Sequence, residues 1–210
     1  MDMTTQEIQQ MMLSVAEEMT RHTEMLCELD SYIGDGDHGI TIERGFKAVL
    51  EQIDGKSFET PVSVFVAAGD AFMNTTGGAI GPLMGSFFRG ARKKLAEARE
   101  WGAEEFEVFL SSGLRQIKLV GEAKEGDRTL VDALSPAVDA YSKARAEGAA
   151  LDECMKKAAD AAEAGAQATK NMIAKKGRAK FLGEKSLGYV DAGATSMSLL
   201  IRTMSNLVHS

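Results

Sequence analysis

The chain has 210 residues, of which 44% are hydrophobic and 26% charged, and its formal net charge is −7 at pH 7. This composition is that of one soluble globular domain over residues 1–210, and the negative charge argues against a nucleic-acid binder, which needs a basic face. The N-terminus lacks a signal-peptide pattern, no apolar run approaches the roughly eighteen residues of a membrane span, and the two cysteines suggest reduced thiols. We therefore expect a cytoplasmic protein.

Apolar residues recur at helical spacing along most of the chain, and no segment alternates with the period of two that marks a strand. Thr4 and Glu7 form a capping-box pattern at the start of the first helix, which reaches to about Cys27. Pro136 should either kink the sixth helix or mark its start. The predicted fold class is all-α, without a sheet. Seven helices follow the first, over residues 42–53, 61–73, 82–101, 106–121, 129–141, 151–173 and 195–208.

An acidic, glycine-rich loop follows the first helix. Asp30, Asp35, Asp37 and His38 lie within ten residues of one another, together with three glycines. Glycine allows tight turns, so the carboxylates can converge on one point. Carboxylates this close repel one another unless a cation holds them, and oxygen ligands are those that Mg²⁺ prefers. The sequence therefore predicts a magnesium site, the alternative being that the Asp-Gly pairs are ordinary turns.

Two other kinds of metal site fail on spacing. An EF-hand loop that began at Asp35 would need acidic residues at positions that Gly39 and Phe46 occupy. A structural zinc site fails because Cys27 and Cys154 are far apart and neither belongs to a Cys-x-x-Cys pair.

Two further segments have the composition of a phosphate site. Residues 77–82 are rich in glycine at the start of the fourth helix, where free backbone N–H groups suit a phosphate or a closely packed base. No P-loop motif occurs in the chain. A basic segment, residues 175–194, lacks helical periodicity and is either a solvated loop or a lid that clamps nucleotide phosphates. Its basic side chains are Lys175, Lys176, Arg178, Lys180 and Lys185.

Several motifs along the whole chain closely resemble, in their order, the nucleotide-binding L subunit of dihydroxyacetone kinases. The resemblance implies an up-and-down barrel of eight antiparallel helices that holds the nucleotide in the loops at one end. The motifs are Leu29-Asp30, Gly34-Asp35-Gly36-Asp37-His38-Gly39, Arg44-Gly45-Phe46, Gly77-Gly78-Ala79, Gly81-Pro82-Leu83, Gly126-Asp127, Lys176-Gly177-Arg178-Ala179, Leu182-Gly183-Glu184 and Gly193-Ala194-Thr195-Ser196.

The resemblance also implies roles for individual residues. Asp30, Asp35 and Asp37 would hold two Mg²⁺ ions that bridge the phosphates of ADP or ATP. Arg178 would pair with a phosphate. The implied nucleotide-binding residues are His38, Gly39, Ile40, Thr41, Ala79, Ile80, Gly121, Leu130, Arg178, Asp191, Ala192 and Gly193.

The substrates of this family are small hydroxyketones, which a separate K subunit binds as a covalent adduct to a histidine. The resemblance therefore implies a K-subunit partner, and we identify no catalytic residue in this chain. The nucleotide would be renewed either by exchange with ATP or by rephosphorylation of a retained ADP. We expect the second route, with a phosphotransferase-system protein as the phosphoryl donor.

The chain departs from the family pattern at two points. The family commonly has Asp-Pro-Gly-Ala where this chain has Asp191 to Ala194, and a small polar residue is frequent at the position of Ile80. Loss of the proline loosens this segment and favours nucleotide exchange, and both changes leave open a longer ketose such as a tetrulose. Two other hypotheses remain: a regulatory module whose nucleotide state a transcriptional regulator reads, and a domain like that of bacterial fatty-acid kinases.

Overall fold

The computed structural model describes residues 2–208, which form nine α-helices, two short antiparallel strands and two 3-10 segments. The predicted all-α class is confirmed. Within these residues, no helix is both long and apolar enough to cross a bilayer. The helices are α1 (Thr5–Arg21), α2 (Thr23–Ser31), α3 (His38–Ile53), α4 (Pro61–Thr75), α5 (Ile80–Arg89), α6 (Ala103–Gly121), α7 (Val131–Ala146), α8 (Leu151–Ala168) and α9 (Ala192–Leu207); the strands are β1 (Met3–Thr4) and β2 (Glu100–Trp101), and the 3-10 segments are Thr169–Asn171 and Arg178–Ser186.

Eight of these helices form a closed ring in chain order. Helices α1 and α3 to α9 each pack on the next, and α9 packs back on α1, while α2 packs on α3 and α9. Neighbours run antiparallel: Glu107 near the start of α6 pairs with Arg145 near the end of α7, and Glu125 beyond the end of α6 meets Ser135 near the start of α7. The connections therefore alternate between the two ends of the ring, as the family resemblance implies.

Two helix starts follow their sequence signals. The Thr4 hydroxyl accepts a hydrogen bond from the backbone N–H of Glu7 at 3.4 Å, and the Glu7 carboxylate accepts one from the Thr4 backbone at 2.8 Å. Thr60 caps α4 in an extended conformation, and Pro61 is its first residue, where a missing N–H costs nothing. Both predicted N-termini are confirmed.

The prediction of one continuous first helix is wrong. The helix breaks at His22, which has φ −94° and ψ 9°, and continues as α2. Near the break, the Thr23 hydroxyl donates to the Thr20 carbonyl at 2.8 Å, which is the kind of local side-chain bond that competes with helical pairing. The apolar spacing runs through both helices, so the sequence pattern gave no sign of the break.

The predicted fourth helix, 82–101, is wrong at both ends. Helix α5 ends at Arg89 because the chain must pass close to α6: a Cβ on Gly90 would lie 2.9 Å from the backbone of Ser112. Turns follow, and then Trp101 pairs with Met3 across β1 and β2. These two-residue strands correct the expectation of no sheet; they are too short to produce a period-two pattern.

The later helices differ from expectation in smaller ways. Pro136 lies inside α7 and does not mark its start, and Gly165 on α8 leaves room for the proline ring, since a Cβ there would lie 2.9 Å from it. Helix α8 ends at Ala168 instead of near Ile173, because the chain tightens into the 3-10 turn Thr169–Asn171. Helix α9 begins three residues earlier than predicted, at Ala192.

The ring encloses a core with an aromatic centre. The ring centroids of Phe65 and Phe109 are 4.2 Å apart, and those of Phe65 and Trp101 are 4.9 Å apart. All three side chains are fully buried, and further phenylalanines pack around them. Burial of these large apolar rings is therefore a major source of the stability of the domain.

We expect Phe109→Ala to lower the free energy of unfolding by about 3–5 kcal/mol, because it removes buried area and leaves a cavity at the aromatic centre. The matched control is Phe181→Ala, since Phe181 is 82% exposed and its loss should change little. Urea unfolding followed by circular dichroism measures both. Equal effects of the two substitutions would contradict this account of the core.

Candidate functional site

Four helices begin at the same end of the ring. Because neighbours alternate in direction, α3, α5, α7 and α9 all begin at this end, and the first residue of each lines one cavity: His38, Ile80, Val131 and Ala192. The cavity measures about 760 Å³, within the range of small-molecule sites. Helix N-termini carry partial positive charge and free N–H groups, so their convergence favours an anionic ligand.

Three carboxylates stand together at this cavity. One oxygen from each of Asp30, Asp35 and Asp37 lies within 4.8 Å of the others, which is close enough for a single cation to contact all three. Asp35 and Asp37 are exposed, and Asp30 is half-buried at the end of α2. A cluster of carboxylate oxygens is the donor set that Mg²⁺ prefers, so the residues fit a magnesium ion.

The backbone of the acidic loop holds these carboxylates together. Asp30 Oδ2 accepts hydrogen bonds from the backbone N–H groups of Asp37 at 3.1 Å and His38 at 3.4 Å. Gly34 must lack a side chain, because a Cβ there would lie 2.1 Å from the Asp30 carboxylate. Gly36 has φ +75°, a left-handed conformation that glycine adopts at no steric cost. The glycines thus close the turn that the sequence predicted.

A hydrogen-bond chain joins the start of α3 to the start of α9. The Ser196 hydroxyl donates to the Gly193 carbonyl at 3.0 Å, and His38 Nε2 lies 3.0 Å from the same hydroxyl oxygen. Because the hydroxyl has a single proton, the bonding pattern assigns the proton to His38 Nε2, which then donates to Ser196. These hydrogen bonds fix the starts of α3 and α9 relative to each other.

His38 and Asp191 are among the titratable groups at the cavity whose pKa values are shifted. Burial lowers the pKa of His38 to about 4, against the opposing effect of the Asp30 carboxylate. His38 is therefore neutral at pH 7 and acts as a hydrogen-bonding group rather than a cation. Burial raises the pKa of Asp191 to about 6, although the Ala194 N–H and Arg128 both favour its charged form. Asp191 accepts the Ala194 N–H at 2.8 Å as the N-cap of α9.

The basic segment reaches the acidic loop through Arg178. Its guanidinium forms an ion pair with Asp35, and its Nη2 lies 3.8 Å from Asp37 Oδ2. The segment contains the 3-10 turns Arg178–Ser186, interrupted at Gly183. The rings of Tyr189 and Tyr32 stack with centroids 5.3 Å apart, and this contact also ties the segment to the acidic loop.

Another part of the cavity lining is apolar. Ala79 and Ile80 at the start of α5 and Gly121 at the end of α6 contribute to it, with Leu130 before α7. A Cβ on Gly121 would lie 3.0 Å from the side chain of Leu83, so this wall has little free space. Such a surface suits the flat, weakly polar face of a nucleobase.

The structure brings together most of the residues that the sequence singles out. Gly39 and Ile40 are the two that do not line the cavity. A Cβ on Gly39 would lie 2.0 Å from the Thr23 carbonyl, so this glycine allows α3 to pack on α2, and the Ile40 side chain is exposed. The residues that do line it are Asp30, Asp35, Asp37, His38, Thr41, Ala79, Ile80, Gly121, Leu130, Arg178, Asp191, Ala192 and Gly193.

Sequence reasoning missed other residues of the lining, among them Arg44 and Arg128. Arg44 had a detectable signal, because His38, Thr41 and Arg44 follow one another at three-residue spacing and so share a face of α3. Arg128 gave none, because a buried arginine in a loop has no periodic pattern.

Comparison with known proteins agrees with these features. The sequence-family model of the DAK2 domain matches residues 32–206 of this chain. The chain is 32% identical over 183 residues to the ADP-binding subunit DhaL of the PEP-dependent dihydroxyacetone kinase of Escherichia coli K12, covering 87% of both chains. It is 36% identical to the DhaL subunit of PEP-dependent dihydroxyacetone kinase 2 of Listeria innocua, covering 88% of this chain and 86% of that subunit.

A solved structure shares the fold. The dihydroxyacetone kinase of C. freundii, in complex with AMP-PNP and Mg²⁺, matches with a TM-score of 0.72 and 28% sequence identity over 95% of this chain. The chain spans only 33% of that longer kinase. Fold and cavity define an all-helical domain with a candidate site for a metal and an anion. The chain belongs to the DAK2-domain family, and it matches DhaL-type subunits over most of their length.

We expect the buried His38 to make folding sensitive to acid. Its pKa of about 4 lies below the value of about 6.5 in an unfolded chain, so only the unfolded state binds this proton between the two values. Stability should therefore fall as the pH decreases from about 6.5 to about 4, by about 3 kcal/mol in total.

Urea unfolding of the wild type and of His38→Gln, at several pH values in this range, measures the effect as the difference between the two proteins. Taking the difference removes the contribution of Asp191, whose raised pKa acts in the opposite direction. His22→Gln, at the junction of α1 and α2, controls for loss of an imidazole. Parallel pH profiles for the wild type and His38→Gln would contradict the prediction.

Proposed function

We propose that this chain is the nucleotide-binding subunit of a kinase that phosphorylates dihydroxyacetone or a related short ketose. The observation that carries the proposal is the placement of three clustered carboxylates beside a cavity at which four helices begin. The names of the relatives support it: several are ADP-binding subunits of dihydroxyacetone kinases, and the solved kinase binds AMP-PNP and Mg²⁺. The chain itself would then bind ADP or ATP.

The acidic loop would hold two Mg²⁺ ions through Asp30, Asp35 and Asp37. Bound there, magnesium neutralises the charge of the nucleotide phosphates and so lets an acidic protein hold them. The N–H groups at the starts of α3 and α9 would donate to phosphate oxygens, and His38, being neutral, would leave the local charge unchanged. Arg178 would exchange its carboxylate partners for a phosphate and stabilise the transferring group.

The ketose would be held by a separate K subunit. Exposed aromatic side chains lie around the basic segment, and Phe181 among them is 82% exposed. Tyr32 and Tyr189 are also exposed, and Lys180 lies 4.9 Å from the Phe181 ring centroid. An apolar and basic rim next to a phosphoryl-transfer site suits an acidic partner surface that carries the acceptor. We place the reaction in the cytoplasm, with no part for nucleic acid.

The phosphoryl donor is proposed from the relatives. The E. coli and Listeria relatives are PEP-dependent, and that of Lactococcus lactis is PTS-dependent. We therefore propose that ADP stays bound and is recharged by a phosphotransferase-system protein. The alternative is ATP exchange on a tetrulose kinase: the chain is 34% identical to an L-erythrulose kinase of Pectobacterium atrosepticum, of which it covers 32%. A nucleotide-dependent interaction with a transcriptional regulator is a further alternative.

We expect Asp35→Asn to weaken binding of Mg-ADP by about 100-fold, because it removes a charged metal ligand while preserving the shape of the loop. Calorimetric titration of Mg-ADP measures the change. Asp139→Asn, at an exposed position on α7, is the matched control and should bind like the wild type. Undiminished affinity in Asp35→Asn would refute the proposed metal site.

The retained-nucleotide proposal predicts that the chain purified in Mg²⁺ carries close to one ADP per molecule. Denaturation and chromatography of the released nucleotide measure this content. An empty protein that binds Mg-ATP reversibly would favour the exchange mechanism. An empty protein that binds neither nucleotide would overturn the proposed function altogether.

A further inference from the structure

A buried arginine in the cavity lining has most of its hydrogen-bonding capacity unused. Arg128 is only 2% exposed, and its Nη2 donates to the Tyr189 carbonyl at 2.6 Å. Its Nε and Nη1 have no hydrogen-bond partner among residues 2–208. Its backbone is left-handed, with φ +62°, which is unfavourable for a side chain of this size. Such a residue costs stability, which is typical of residues that serve a function.

Arg128 lies where two walls of the cavity meet. Leu130, two residues further on, lines one wall, and Asp191 to Gly193 line the other. The walls nearly touch, because a Cβ on Gly193 would lie 3.8 Å from the Leu130 backbone nitrogen. The bond from Arg128 to Tyr189 therefore joins the loop before α7 to the turn that leads into α9.

The same loop also holds the other end of the basic segment. The Lys175 N–H donates to the Asp127 carbonyl at 3.1 Å, and Lys175 Nζ lies 3.5 Å from the Asp127 carboxylate. The two ends of the segment, at Lys175 and Tyr189, are thus fastened to adjacent residues. Tyr189 in turn stacks on Tyr32, which belongs to the acidic loop region.

We propose that Arg128 is a positioning residue that holds the basic segment over the cavity and thereby slows release of the bound nucleotide. The inference rests on the proposed function for the identity of the ligand. Arg128 acts through the Tyr189 carbonyl: together with the bonds from the Gly188 N–H to the Lys170 carbonyl at 2.7 Å and from the Asp191 N–H to the Thr169 hydroxyl at 2.9 Å, this bond holds the turn before α9 and so keeps Arg178 next to the acidic loop. Its unused N–H groups and left-handed backbone are the cost of this placement.

A purely structural role predicts a different outcome of substitution. Arg128 favours the charged form of the buried Asp191 and donates to the Tyr189 carbonyl, so its removal should lower stability. Arg128→Met should therefore lower the melting temperature and, in addition, loosen the segment. A residue needed only for folding would lower the melting temperature but leave nucleotide release normal.

The experiment compares the wild type, Arg128→Met and Arg128→Lys, with Arg115→Met on the exposed face of α6 as the matched control. Hydrogen–deuterium exchange of residues 187–195 without nucleotide measures how firmly the turn before α9 is held. Release of a fluorescent ADP analogue in Mg²⁺, chased with unlabelled ADP, reports residence time. Thermal melting reports stability.

We expect Arg128→Met to speed both exchange in 187–195 and nucleotide release by about tenfold. Arg128→Lys keeps the charge and one donor for Tyr189, so it should be intermediate, and Arg115→Met should match the wild type. Exchange and release rates in Arg128→Met equal to those of the wild type would overturn the proposal. If Arg128→Met does not fold, Arg128→Lys decides: faster exchange in 187–195 supports the proposal, and unchanged exchange overturns it.

A wrong proposed function would give a different result from a wrong role for Arg128. In that case the wild type itself would not bind Mg-ADP, whereas the exchange measurement without nucleotide would still show whether Arg128 fastens the segment.

Discussion

The alternation of helix direction around a closed ring is the constraint from which the site follows. Once neighbours are antiparallel and connections short, every second helix must begin at the same end, and here these are α3, α5, α7 and α9. The partial positive charges of these helix starts therefore face one cavity. A protein with a net charge of −7 thereby gains a region that favours anions without a P-loop and with few basic side chains in the helices that begin there.

The acidic loop complements these helix ends. Asp30, Asp35 and Asp37 bring negative charge next to positive helix starts, so a divalent cation between the carboxylates and the phosphates would satisfy both sides. The basic segment supplies a further cation through Arg178, which already contacts the loop. Two of the anchors of that segment, at Lys175 and Tyr189, connect its position to the packing of α7 and α9. The helix starts, the acidic loop and the basic segment therefore all place charge at the same cavity.

The sequence predicted those parts of the molecule that depend on local pattern. Apolar spacing located the helices, the Thr4 capping box and Pro61 located two starts, and the Asp-Gly run located the acidic loop. Several of the failures depend on contacts between distant residues. The early end of α5 follows from the approach of Gly90 to α6, and the β1–β2 pair joins residues about a hundred positions apart. Arg128 belongs to the same class, because its partner is the Tyr189 carbonyl.

Magnesium dependence of nucleotide binding tests the central claim most directly. Calorimetric titration of ADP into the wild-type chain, first stripped of nucleotide and metal, would be carried out with Mg²⁺ and then with EDTA. The account predicts binding of one ADP per chain in Mg²⁺ and an affinity about 100-fold weaker in EDTA, because the carboxylates would then repel the phosphates. Equal affinity under the two conditions, or no binding in Mg²⁺, would contradict it.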